Sequence, residues 1–168
     1  MLTIIHAETP EHIEQFQELL AEYKAWDIQM SASVGLDVDT LLDFYYKGTV
    51  RELVAELAPP HGGLLLASFG GQVVGCAGLH RLSLEVGEMK RVYVRPAFRG
   101  RGLGKALIEA VVGEARRIGY RTLRLETATF MKDAQALYRS LGFRLIEPYQ
   151  EVPDVLKHIL VFMELDLK

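Results

Sequence analysis

The chain has 168 residues, 19 Lys+Arg against 22 Asp+Glu for a formal charge of −3, and 49% hydrophobic side chains. A chain of that length and apolarity builds a full core as one domain, 1–168, which excludes disordered, collagen-like and disulfide-stapled classes. The near-neutral total excludes a general nucleic-acid binder, the single Cys76 has no internal partner, and no apolar run approaches the ~18–20 residues of a membrane span. Met1 to His6 has neither the basic flank nor the long apolar stretch of a signal peptide, so a reducing, cytoplasmic setting is the expectation.

Residues 2–6 read as a short strand, and Thr9-Pro10 then supplies a hydroxyl N-cap with proline in the first helical turn. Ile13, Phe16, Leu19, Leu20 and Tyr23 recur at helical spacing beside an acidic face of Glu11, Glu14, Glu18 and Glu22. The pattern loosens after Trp26, and one further helix is expected over 39–57, ended by Pro59-Pro60-His61-Gly62-Gly63. Two apolar runs, 64–69 and 72–79, flank Gly70-Gly71 as a hairpin, and 86–94 alternates as the next antiparallel strand. A helix carrying Leu103, Leu107, Val111 and Ile118 ends at Gly119. Strand 122–127, helix 134–141, and strands 143–146 and 159–165 complete the order, with no repeat or linker.

The densest signal is Arg99-Gly100-Arg101-Gly102-Leu103-Gly104-Lys105, set between a strand and an amphipathic helix. Glycines let the backbone approach a ligand closely, and the free N–H groups of a helix's first turn form an anion site, most naturally for phosphate. A Walker A loop needs glycine at Arg99 and Ser or Thr at Ala106, and a dinucleotide fingerprint needs glycine at Lys105, so both fail. A tight helix entry with no ligand is the bland alternative.

Arg-x-x-Gly-x-Gly after Val92-Tyr93-Val94-Arg95-Pro96, followed later by Leu137-Tyr138-Arg139-Ser140-Leu141-Gly142-Phe143, resembles the GNAT family of N-acetyltransferases. The resemblance covers about 64–147 strongly, and the element order extends it along the chain. The resemblance implies an α/β (α+β) fold: a mixed, mostly antiparallel sheet flanked by about four helices and splayed between its fourth and fifth strands, here 86–94 and 122–127. Acetyl-CoA as co-substrate then lies in the splay and no metal is required. The implied contacts are the backbone of Arg99, Gly100, Arg101, Gly102, Leu103 and Gly104 for its pyrophosphate, Arg101 and Lys105 as charge partners, and Val92, Tyr93 and Val94 for its pantetheine arm.

Acetyl transfer to an amine needs a neutral nucleophile, a donor for the oxyanion and a proton for the leaving thiolate. The resemblance makes Tyr138 the general acid and the Val92 N–H the oxyanion donor. Glu88, eleven residues before Arg99, stands at the offset of the catalytic glutamate in the histone-acetyltransferase branch. Its alternative is a partner for Lys90 or Arg91, and Glu126 or His80 could serve as base through water. Met131 stands where many members carry an asparagine that helps hold the cofactor, which leaves backbone groups of 129–131 or Lys132 to replace it.

Trp26, Tyr45 and Glu126 are the candidate acceptor contacts, and Tyr149 sits on a segment able to cover the cleft. Residues 1–60 hold 3 basic and 11 acidic side chains while 88–105 hold 6 and 1, so an acidic region meets a cationic turn. The expectation is acetylation of a small-molecule amine in a ternary complex. A protein lysine or N-terminal acetyltransferase and a non-catalytic acyl-CoA-binding module are the alternatives. No nucleic acid or membrane partner is expected, and the resemblance carries an expectation of a homodimer.

Overall fold

In the computed structural model, which describes residues 1–168, seven strands form one sheet in the order β1-β2-β3-β4-β5-β7-β6. They are β1 (Leu2–His6), β2 (Gly63–Phe69), β3 (Gln72–Arg81), β4 (Val86–Val94), β5 (Thr122–Ala128), β6 (Arg144–Ile146) and β7 (Leu160–Asp166). All neighbours are antiparallel except β4 and β5, which run parallel. This is the mixed sheet expected, with the last strand in sequence inserted between β5 and β6.

Five helices flank it: α1 (Pro10–Ser33), α2 (Val38–Tyr45), α3 (Val50–Leu57), α4 (Leu103–Ile118) and α5 (Lys132–Ser140). The Thr9 side chain accepts from the His12 N–H at 3.1 Å and starts α1 as expected. The single helix expected over 39–57 is two, which raises the number from four to five. Gly48 takes φ +76°, closing the first, and Thr49 with Glu52 forms a reciprocal capping box that opens the second. Helix α1 runs on to Ser33 because the polar residues that blurred its pattern, Asp27 and Ser31, lie on its buried face. Ser31 Oγ donates to Asp27 Oδ1 at 3.4 Å and Tyr46 Oη donates to Oδ2 at 2.7 Å, so their burial leaves that carboxylate partnered.

Helix α4 packs one face of the sheet, setting Leu103, Leu107, Ile108 and Val111 against Leu65, Ala67, Val74 and Ala77. Helices α1 and α3 cover the other, with Phe16, Leu19, Leu20 and Leu57 on Leu64, Leu66, Cys76 and Tyr93. Covered twice, β2 buries six of its seven residues, which is why it reads as a continuous apolar run rather than an alternating one. Phe16 is wholly buried, and truncating such a side chain to alanine costs ~3–5 kcal/mol. No helix is long and apolar enough to cross a membrane.

Two irregularities in β4 make the cleft. It pairs with β5 only from Val86–Met89 to Thr122–Leu125, after which the strands part. On its other side Cys76 pairs with Tyr93 and Gly78 with Lys90, so Arg91 and Val92 together oppose Ala77 in a bulge, with Arg91 at φ +56°. A bulge bends and twists its strand, here at the level of the parting.

Candidate functional site

The parting strands open a cleft of about 810 Å³, walled by Val92–Val94 on one side and by Leu125–Thr127 and Phe130 on the other. Gly100, Gly102, Leu103, Gly104 and Lys105 line it, as do Trp26, Tyr45, Glu126 and Tyr138. The fold therefore brings most of the sequence-expected residues to one cavity.

Gly100 and Gly102 adopt φ +77° and +83°. A Cβ at either would meet nothing within 4 Å, so the left-handed backbone and not crowding demands glycine. Gly102 caps α4 without a side-chain bond, which leaves the first-turn N–H groups free for an anion. Arg99 is fixed in the wall: its Nε donates to the Val94 carbonyl at 2.9 Å and its guanidinium lies 5.1 Å from the Trp26 ring. Trp26 accordingly stands beside the glycine turn. Arg101 turns onto the rings of Phe69 and Phe98, at 5.2 and 5.7 Å, and does not line the cleft. Lys105, which does line it, is the freer cation of the turn.

Tyr138 projects from α5 into the cleft with its ring 5.7 Å from that of Phe143. Burial, reinforced by Tyr45, pushes its hydroxyl well above the ordinary tyrosine value, so it keeps its proton. At the end of β5, Gln135 Nε2 donates to the carbonyls of Ala128 and Thr129 at 2.8 and 3.4 Å. Met131 accepts from Thr127 Oγ1 at 3.5 Å, and Lys132 lines the cleft beside it. Gln135, which orders this corner, carries no recognisable sequence signal. Burial pushes the Cys76 thiol up to about 12, so it packs and donates to the Arg91 carbonyl at the bulge instead of acting as a nucleophile.

Glu88 and Glu126 meet beside the cleft in a polar cavity of about 80 Å³ that Lys90, Tyr45 and Gln150 also line. His80 Nε2 donates to Glu88 Oε1 at 2.6 Å, Tyr149 Oη donates to Oε2, and Lys90 Nζ stands 3.7 Å away. Burial alone would raise the Glu88 carboxyl, but these donors outweigh it and hold the group below the ordinary carboxylate value. Glu88 does not line the large cleft. Glu126 does, and burial together with the Glu88 charge pushes its carboxyl up to about 7 against the opposing pull of Lys90, Arg91 and Gln150. His80 is buried behind Glu88, with its second nitrogen 3.3 Å from Glu56 Oε1.

A third cavity lies under α2 and the turn Asp154–Leu156, and Tyr45 and Glu126 line all three. Tyr45 and Glu126, expected from the sequence as acceptor contacts, both line this chamber, whereas walls such as Leu36, Leu156 and Ile159 come from segments far apart in the chain and carry no sequence signal.

Comparison with known proteins agrees with this geometry. The family model "Acetyltransferase (GNAT) family" matches residues 10–143. An N-acetyltransferase of Schizosaccharomyces pombe is 30% identical, covering 99% of this chain and 95% of that protein. A GNAT-family acetyltransferase from Staphylococcus aureus superposes with a TM-score of 0.73 over 100% of both chains at 22% identity, which speaks to the fold. The yncA protein of Salmonella typhimurium, solved with its cofactor acetyl-CoA, superposes at 0.61 with 24% identity, covering 99% of this chain and 94% of that one. Sheet, cleft and family model converge: the chain belongs to the GNAT family and is an acetyltransferase.

Proposed function

We propose that this enzyme transfers the acetyl group of acetyl-CoA to the primary amine of a small molecule by direct attack in a ternary complex. The observation that carries the reading is Glu126: a carboxyl held near 7, at the junction of the cofactor cleft and two smaller cavities, in one cleft with Tyr138. General-base catalysis is most effective when the base titrates near the working pH.

The residues fit the co-substrate. The free N–H groups at the start of α4 and the Lys105 ammonium suit its pyrophosphate, and the unpaired edge of Val92–Val94 suits an extended amide-bearing arm. Acetyl-CoA supplies the acyl group as a thioester. Glu126 takes one proton from the substrate ammonium, freeing the nitrogen lone pair to attack the carbonyl carbon. The Val92 N–H donates to the oxygen that becomes negative as the C–N bond forms. Tyr138 gives its proton to the sulfur as the C–S bond breaks, then recovers one from the amide nitrogen. Glu126 later releases its proton to solvent, so the products are amide, thiol and one proton.

Glu126 thus takes the base role that the family offset gives to Glu88, because Glu88 stands outside the large cleft and holds its charge through His80 and Tyr149. A small acceptor is favoured because Tyr149 and Gln150 reach across from the β6–β7 segment to Glu88 and Glu126, and narrow the acceptor end. The test is thiol release from acetyl-CoA by the purified chain against panels of amines and of lysine-bearing peptides. Turnover with amines supports the reading. Acetyl-CoA binding with no thiol release, or release with peptides alone, overturns it.

A further inference from the structure

We infer that the acceptor is a compact, apolar primary amine with a single positive charge; the inference rests on the small-amine reading above and narrows it. The cavity under α2 shares Tyr45, Glu126 and Thr127 with the cofactor cleft, so it adjoins that cleft at the proposed base. Eleven of its fifteen lining residues are hydrophobic, Leu41, Phe44, Leu156 and Ile159 among them. A ligand part placed there gains by leaving water and is offered almost nothing to hydrogen-bond.

The polar members of that lining make the same point. The carboxyl of Asp27 accepts from Tyr46 and Ser31, and burial raises it above the ordinary aspartate value, which works against its charged form as a second anchor. Glu126 stands at the junction with the polar cavity, where Glu88 adds a second carboxylate. One end of the acceptor thus meets negative charge and the rest meets hydrocarbon. Lys90 in the polar cavity and Arg91 in the cleft repel any further cation, which disfavours diamines and polyamines. The chamber is small, about 40 Å³ against about 810 Å³ for the cofactor cleft it adjoins, which selects a short or branched body over a long chain or a ring.

The experiment is a matched series on the full chain at saturating acetyl-CoA, with thiol release as readout: ethylamine, isobutylamine, isopentylamine, hexylamine, 2-phenylethylamine, putrescine and a lysine-bearing peptide. Apolar burial predicts that kcat/KM rises about fourfold per added carbon through the branched amines. It then falls for hexylamine and 2-phenylethylamine, with putrescine at least tenfold below isopentylamine. Phe44→Ala, at a half-exposed position, is expected to widen the chamber and raise 2-phenylethylamine at least tenfold relative to isobutylamine. Should that variant fail to fold, the wild-type series decides by itself. Putrescine or the peptide matching isopentylamine, or a flat series, overturns the inference and leaves the acetyltransferase assignment standing. Acetyl-CoA binding without thiol release from any amine instead removes the small-amine reading on which it rests.

Discussion

Glu88 and Glu126 face one small polar cavity from adjacent strands, and their surroundings drive the two carboxyls in opposite directions. Donors from His80 and Tyr149 hold Glu88 ionised, while burial and the Glu88 anion keep a proton on Glu126 up to about 7. Such divergence within a pair of acids separates the group that stays charged from the group that moves protons.

Glu126 works only when ionised, so kcat/KM is expected to rise with pH through an inflection near 7 and level off above it. Glu126→Gln should lower kcat by ~10²–10⁴ and abolish that inflection. A pH–rate profile of both proteins checks it; an unchanged profile in the variant removes Glu126 from the mechanism.

Replacing the neighbour moves the same inflection without touching the base. Glu88→Gln takes away the negative charge that helps raise Glu126, so the inflection should shift to lower pH. The variant also loses a group whose carboxyl is lowered on folding. That stabilisation is present above the unfolded value of about 4.3 and lost as pH falls through the folded one, so the variant's Tm at pH 7 should drop.

Stability gives Glu126 a signature of its own. Its folded value of about 7 exceeds the unfolded ~4.3, so the native state binds more protons between the two and loses stability as pH rises across that window. Glu126→Gln carries no such penalty. It should melt roughly 2–6 °C above the wild type at pH 8, with the gap closing below pH 5. Differential scanning calorimetry at the two pH values reads it, and a variant less stable at pH 8 contradicts it.

Tyr138→Phe should slow turnover by about 10²-fold with little change in acetyl-CoA affinity, because the ring's packing on Phe143 survives and only the donor is lost. Equal turnover, measured beside calorimetric binding of acetyl-CoA, would falsify the acid role.

Gly102→Ala forces a left-handed residue at ~1–2 kcal/mol and tilts the free N–H groups that open α4. Acetyl-CoA should bind about tenfold more weakly while the fold, followed by circular dichroism, persists. Wild-type affinity would show that the turn does not hold the co-substrate.

Local signals carried most of the fold. The Thr9 cap, the Gly70-Gly71 hairpin and the glycine turn each act over seven residues or fewer, so their chemistry is legible in sequence. The split between α2 and α3 falls at Gly48 and the Thr49/Glu52 box, signals present in the sequence inside the stretch 39–57 expected as one helix. At the site, the glycine turn was legible from its own residues and Tyr138 through the family resemblance of its motif, whereas the choice between Glu88 and Glu126 depends on donors from β3 and the β6–β7 segment. Those partners lie 8, 61 and 24 residues away in the chain, and only tertiary packing brings them to the carboxylates. Arg101 shows the reverse case: a cation in the right motif that finds aromatic rings closer at hand than the cleft.

The parting of β4 from β5 leaves a row of unclaimed peptide groups in the middle of the sheet. On an outer strand such a row is a template for any foreign chain with strand character, and proteins blunt it with charge, proline or a covering loop. Here the row lines a cleft inside the sheet, with Leu125–Thr127 and Phe130 on the facing wall, so whatever pairs with it has to enter between two walls of the same molecule. The splay therefore keeps its unpaired backbone inside a walled cavity, away from the outer edges where sheets meet other sheets.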